Sequence, residues 1–312
     1  MPLHPQARQL LDLVEQAGLP RLNEVTPKVG RLQAAGLNQL IGAGPAVATV
    51  EDLVIPTHDG QFGARRYEPE QAEATIVWLH GGGFVIGDLD SHDAMCRVLA
   101  NSSNCRVIAI DYRRAPEHPY PGPLEDCWEA LEWVARRYPD DALVLGGDSA
   151  GGNLTAVCTL RARDRGGPEI RLQVLVYPAT EFEAEDDESY RKYGWGRDTF
   201  LTAAEMEWFA NHYIADVTAR TSAEASPLRA ETLAGLPPAI FVSAEYDPLR
   251  DQGFAYLERL QADGIPVTHY HYDDQIHGFF AFVNLFESAD EAVAKVGADI
   301  RDAVAPASAV EA

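Results

Sequence analysis

A serine set among small residues, Gly147-Asp148-Ser149-Ala150-Gly151, is the stretch of this chain best suited to covalent chemistry. Residues 142–146 ahead of it read as a short buried strand. From Gly152 to about Arg163 the spacing of Leu154, Val157, Cys158 and Leu160 reads as a helix. Strand, sharp turn and helix together lift a serine hydroxyl above a sheet, the nucleophile-elbow setting of the G-x-S-x-G pattern. The flanking glycines let other backbone pass where a Cβ would clash. Asp148, beside the serine, is read as a holder of loop backbone.

A serine hydroxyl is a weak nucleophile at neutral pH and needs a base that an acid orients. One known chain order is serine, then acid, then histidine, the last two on loops after late strands. Asp247 lies in Glu245-Tyr246-Asp247-Pro248-Leu249-Arg250-Asp251, after a strand at 239–244. His277 follows a strand at 267–272. Glu245 and Asp251 compete with Asp247, which is preferred because Pro248 fixes its turn; Asp251 is read as a helix cap or loop brace. His269 and His271 alternate along the final strand and read as strand histidines. His80-Gly81-Gly82-Gly83-Phe84 follows directly on a strand at 75–79, and its glycines leave backbone N–H groups free to meet a ligand. In acyl transfer such donors stabilise an oxyanion; here they are Gly82, Gly83 and Ala150.

The elements that must position these groups alternate. β-rich runs at 50–56, 62–67, 75–79, 106–110, 142–146, 172–177, 239–244 and 267–272 enclose helical patterns at 93–101, 124–137, 153–163 and 251–263. The first two runs predict an antiparallel pair and the rest a mainly parallel sheet covered on both faces, an α/β fold. Helical periods also occupy residues 3–19 and, more weakly, extend to about Leu40. Between 179 and 226 an acidic run, read as a solvated loop, precedes a bulky helix at about 202–214. From this region Trp195, Phe200, Met206, Trp208 and Phe209, with Phe84, Val85, Ile86 and Leu201, are the candidate wall of an acyl pocket.

Composition narrows the field. With 312 residues, 46% hydrophobic and 9% aromatic, the chain reads as a globular protein with ample core. Its net charge of −23 repels phosphates and anionic lipid, so neither nucleic acid nor a membrane surface is an expected partner. No apolar run approaches the ~18 residues of a membrane span, and residues 1–20 lack a signal peptide's apolar stretch, so a cytoplasmic protein is expected. Cys96, Cys105, Cys127 and Cys158 have neither metal spacing nor scaffold density and read as reduced, mostly buried thiols. With no CxxC or HExxH, no metal or cofactor is expected.

The chain resembles the hormone-sensitive-lipase family of α/β-hydrolase carboxylesterases, in the branch with the GDSAG elbow. The motifs that carry the resemblance are HGGGF at 80–84, DYRRAPEHP at 111–119, GDSAGG at 147–152, SPL at 226–228, EYDPLRD at 245–251 and IHGF at 276–279. It extends over nearly the whole chain. It implies an eight-stranded α/β-hydrolase fold with Ser149, Asp247 and His277 as triad and Gly82, Gly83 and Ala150 as oxyanion hole. It also implies a helical cap built from residues 1–45 and 180–225, over a catalytic domain of 46–179 and 226–312. The substrates implied are short-to-medium-chain acyl esters, and a homodimer through the final strand and the helix at 289–304 is implied as well. Two departures are local: Arg114 stands where the family has an apolar residue, and Asp273-Asp274-Gln275 replace a glycine-containing turn. An amidase would use the same triad; a non-catalytic receptor of this fold would lack His277.

Overall fold

The apolar residues of one central strand set the architecture. In β3 (Ala74–Leu79) every side chain is buried, as a strand covered on both faces requires. Alternation sends Ile76 and Trp78 to one face and Val77 and Leu79 to the other. The computed structural model describes residues 1–58 and 60–305. Around β3 stand β1 (Thr49–Thr57), β2 (Gly60–Glu68), β4 (Arg106–Asp111), β5 (Ala142–Asp148), β6 (Leu172–Val176), β7 (Ala239–Tyr246) and β8 (Val267–Ile276), in the order β1-β2-β4-β3-β5-β6-β7-β8. β1 and β2 form the expected antiparallel pair, β2 also runs antiparallel to β4, and the remaining pairings are parallel. This is the α/β-hydrolase fold.

Two helices cover each face near the centre. On one, α3 (Asp93–Ser103) and α9 (Glu287–Val304) pack Met95, Leu99, Val293 and Ile300 against Ile76, Trp78 and Val174. On the other, α4 (Gly122–Arg137) and α5 (Ala150–Arg165) pack Leu124, Leu131, Leu154 and Val157 against Val77, Leu79 and Leu145. Each such side chain contributes about 1.5–3 kcal/mol by leaving water. Further along, α8 (Arg250–Ala262) sets Tyr256 and Leu260 against Leu175 and Phe241. All four cysteines are free and buried, Cys96 and Cys105 in the first layer, Cys127 and Cys158 in the second. Among the described residues no helix is long and apolar enough to cross a membrane.

The remaining helices are α1 (Pro5–Ala17) and α2 (Pro27–Ile41) ahead of the sheet, and α6 (Glu188–Tyr193) and α7 (Ala203–Tyr213) between β6 and β7. Prolines open α1 and α2 at the position where a missing N–H costs nothing. α7 starts at a reciprocal Thr202–Glu205 capping box. The short turn at Leu22–Glu24 packs against α7, so the N-terminal segment and the β6–β7 insertion meet.

Several boundaries differ from the sequence reading. α5 begins at Ala150, not Gly152, because the helix starts on the elbow itself. β8 continues through Asp273-Asp274-Gln275 to Ile276, past an irregularity opposite Ala244 and Tyr246 that realigns the ladder. The acidic run is not wholly a solvated loop. Its end forms α6, and Glu181 is drawn down to Arg229 at 2.5 Å and to the Ser226 hydroxyl at 3.1 Å. Asp251 braces rather than caps: its carboxylate accepts from the Ser189 N–H, tying α6 to α8.

Candidate active site

Ser149 sits on the turn between β5 and α5 with φ 54° and ψ −115°, a left-handed backbone that L-residues rarely adopt. The surroundings over-determine it. Its N–H donates to the Val176 carbonyl at 2.9 Å, and its carbonyl accepts from Asn153 at 3.0 Å and Ala179 at 3.2 Å. Gly151 is required by space: a Cβ there would overlap the Leu79 carbonyl. The elbow is therefore wedged against the end of β3, and the HGGGF loop begins where that strand ends.

His277 and Asp247 reach this serine from the carboxyl ends of β8 and β7. Nε2 of His277 lies 2.9 Å from Ser149 Oγ, and Nδ1 lies 2.7 Å from Asp247 Oδ2. The other Asp247 oxygen accepts from the Leu249 N–H at 2.8 Å, and both side chains are buried. The Tyr177 ring stands 4.7 Å from the imidazole, centroid to centroid. The competing groups are engaged elsewhere. Glu245 receives the Tyr193 hydroxyl and the Arg250 guanidinium, each at 2.5 Å. His269 and His271 share the Ser243 hydroxyl at 2.8 and 3.0 Å.

The HGGGF loop is held along its length. Tyr112 donates its hydroxyl to the His80 carbonyl at 2.7 Å, and the Ala115 N–H donates to the Phe84 carbonyl at 2.9 Å. The Gly81 N–H donates to Asp148 Oδ1 at 3.1 Å, so Asp148 does hold loop backbone. Arg114 braces the far end by donating to the Gly87 carbonyl. Gly82 has φ 114° and Gly83 φ 58°, and side chains there would strike the Ile86 backbone and the Phe209 ring respectively. Among the described residues the N–H groups of Gly82, Gly83 and Ala150 have no acceptor. The α5 N-terminus adds its dipole to the same spot.

A cavity of about 480 Å³ opens onto Ser149, within the range of small-molecule sites. It takes residues from α2 (Ala34, Asn38, Ile41), from the HGGGF loop and from α7. Of the expected wall, Phe84, Ile86, Phe200, Leu201, Met206 and Phe209 line it. Val85 and Trp208, expected in that wall, do not. The Val85 side chain is buried in the sheet-facing core, while its carbonyl accepts from Arg31. Trp208, one helical step from Phe209, turns its ring away, edge-on to Phe209 and His212. Trp195 is also outside, 70% exposed. The sequence reading missed Ser91 and His92, which line the cavity beneath the loop; the only signal was a histidine nine residues beyond Gly83.

Similarity to known proteins follows the same lines. A family model described as alpha/beta hydrolase fold matches residues 76–281. The chain is 41% identical to the carboxylic ester hydrolase LipN of Mycobacterium tuberculosis over 259 residues, 78% of this chain and 67% of that protein. It is 32% identical to an arylesterase of Saccharolobus solfataricus over 97% of this chain and 99% of the other. Among solved structures, the hyperthermophilic esterase of Pyrobaculum calidifontis superposes with a TM-score of 0.92 at 39% identity, covering 97% of this chain and 99% of that one.

Proposed function

Since the chain belongs to the hormone-sensitive-lipase group of α/β-hydrolase carboxylesterases, we propose that it hydrolyses short-to-medium-chain carboxylic esters through an acyl-enzyme on Ser149. The observation that carries this reading is the unbroken line from Ser149 Oγ through His277 to Asp247, beside the N–H groups of Gly82, Gly83 and Ala150, which have no acceptor among the described residues.

Ser149 Oγ attacks the ester carbonyl as its proton passes to His277 Nε2. Asp247 accepts from Nδ1–H, fixes the tautomer and balances the imidazolium without taking the proton itself. The oxyanion of the tetrahedral intermediate meets the N–H groups of Gly82, Gly83 and Ala150; one donor in such a hole is worth about 2.7–4 kcal/mol of barrier. His277 then protonates the departing alcohol. Water enters, gives its proton to His277 and attacks the acyl-enzyme, releasing the acid and restoring Ser149. No step calls on a metal or cofactor. In this reading residues 1–45 and 180–225 act as a cap whose Phe200, Leu201, Met206 and Phe209 receive the acyl chain. A second copy pairs along the exposed edge of β8, which light scattering would report as twice the monomer mass.

The test is an activity series on p-nitrophenyl esters from acetyl to palmitoyl, with matched p-nitroanilides. Wild type turns over the shorter esters fastest and the anilides poorly, whereas folded Ser149→Ala turns over none. Undiminished activity in Ser149→Ala would overturn the nucleophile, and rates rising to the longest chain would overturn the substrate class.

A further inference from the structure

Residues 195–201 form a strap that joins α6 to α7, and two of them, Phe200 and Leu201, wall the catalytic cavity. The Phe200 ring stands edge-on to Phe282, centroids 5.2 Å apart. A Cβ on Gly278, the neighbour of His277, would lie 3.6 Å from that ring. Thr199 is buried and donates its hydroxyl to the Leu201 carbonyl at 2.7 Å. Trp195, Gly196, Arg197 and Asp198 are exposed.

The strap has little to hold it. Among the described residues none of its N–H groups enters a main-chain hydrogen bond. Every hydrogen bond and ion pair that ties it to another part of the chain goes to α1. Arg8 donates to the Arg197 carbonyl at 3.0 Å and pairs with Asp198 at 2.8 Å. Arg197 in turn reaches back to the Glu15 carboxylate. Arg8 is steadied by Asp12, one helical turn on, at 3.6 Å.

α1 is the fixed side of this contact. Its Ala7, Leu10 and Leu11 are buried in the core that covers the sheet. At its start the His4 N–H donates to the Asp274 carbonyl at 2.8 Å, and the Gln6 side chain accepts from the Glu287 N–H at 3.1 Å.

We infer that Arg8 is a positioning residue for the substrate: by holding the strap at Arg197 and Asp198 it sets how Phe200 and Leu201 wall the cavity. The pairing is reciprocal, since α1 offers a cation to the strap's anion and an anion to its cation. A slip that set Arg8 against the Arg197 guanidinium would oppose like charges, so the register is specified. Exposed ion pairs are weak, each shifting a local equilibrium by no more than about fivefold. They decide the position here because no main-chain bond of the strap competes with them. The inference rests on the esterase reading above for its kinetic consequence, but the tie itself does not.

Trypsin tests the tie without reference to the reaction, because Arg197 is an exposed cleavage site within the strap. Cleavage after Arg197 should be about three- to fivefold faster in Arg8→Met than in wild type, with cleavage after Arg21 unchanged. Kinetics on neutral p-nitrophenyl esters test the positioning. Arg8→Met should raise KM for the octanoyl ester about three- to fivefold, with KM for the acetyl ester and kcat for both within about twofold of wild type. Arg8→Lys, which keeps the charge, should recover most of the octanoyl KM. In 1 M salt, where the screening length is about 3 Å, the gap between wild type and Arg8→Met should close. Cleavage after Arg197 no faster than in wild type overturns the tie. Equal changes for the two esters, or a gap that persists in 1 M salt, overturn the positioning role. Absence of turnover in the wild type would count against the esterase reading and leave the trypsin result to decide on the tie.

Discussion

At the scale of single residues the site depends on which hydrogens sit where, and Asp247 is the most direct point at which to test this. Asp247→Asn keeps the side chain's shape but offers an amide where His277 Nδ1 needs an acceptor. The wrong tautomer then faces Ser149, and kcat should fall about 10⁴-fold with the fold intact. A loss below tenfold would remove Asp247 from its role. Ser149, Asp247 and His277 were legible because their types, order and places at strand ends are themselves the chemical requirement. Facing was not legible: Trp208 and Phe209 are equally bulky neighbours, and only the phase of α7 puts one ring in the cavity and the other outside. His92 was hidden for a different reason. The Asp148 carboxylate it lies against is remote in the chain and meets it only because β3 and β5 are neighbours in the sheet.

At the scale of elements, one arginine joins α2 to the catalytic loops. Arg31 donates to the Val85 and Ala115 carbonyls, each at 2.8 Å, and to Glu117 at 2.6 and 2.9 Å. Arg31→Met keeps the aliphatic stem and removes the donors, which should cost about 1–3 kcal/mol and lower Tm by several degrees. The ion pair adds a pH signature. Hydrogen bonding from Arg31 holds the Glu117 carboxyl down at about 2, below its ordinary value of 4.5. A depressed folded-state value means the contribution is present above about pH 4.5 and is lost as pH falls toward 2. Because Glu117 is half exposed, solvent keeps that contribution small. The Tm gap between wild type and Glu117→Gln should be steady near neutrality and close across that acid window; a gap that persists at pH 2 would contradict the pairing. At this scale the alternation of strands and helices was readable from apolar spacing alone. α6 and the last residues of β8 were not, because acidic residues mask both and tertiary partners such as Asp251 decide them.

At the scale of the whole molecule, charge converges on the cavity. The net charge of −23 is carried to its mouth by Glu185 and Glu207, both exposed beside Tyr190. Arg220, which also lines the cavity, is held by the Ile214 carbonyl and Asn211 and sets one positive charge against these two exposed carboxylates. Esters with a carboxylate tail should therefore show kcat/KM about tenfold below neutral isosteres at low salt, with the gap narrowing as the screening length drops below ~10 Å. A ratio indifferent to salt would refute the steering. The four buried cysteines give the molecule another property. Burial pushes Cys105 up to about 11 and Cys158 to about 12, and raises Cys96 and Cys127 well above the usual thiol value. None presents a reactive thiolate while the chain is folded, so a disulfide reagent added to the native enzyme becomes a clock for unfolding. Two reporters lie under each helical layer. Release of all four at one rate would mean the layers part from the sheet together, and two rates would identify the layer that lets go first.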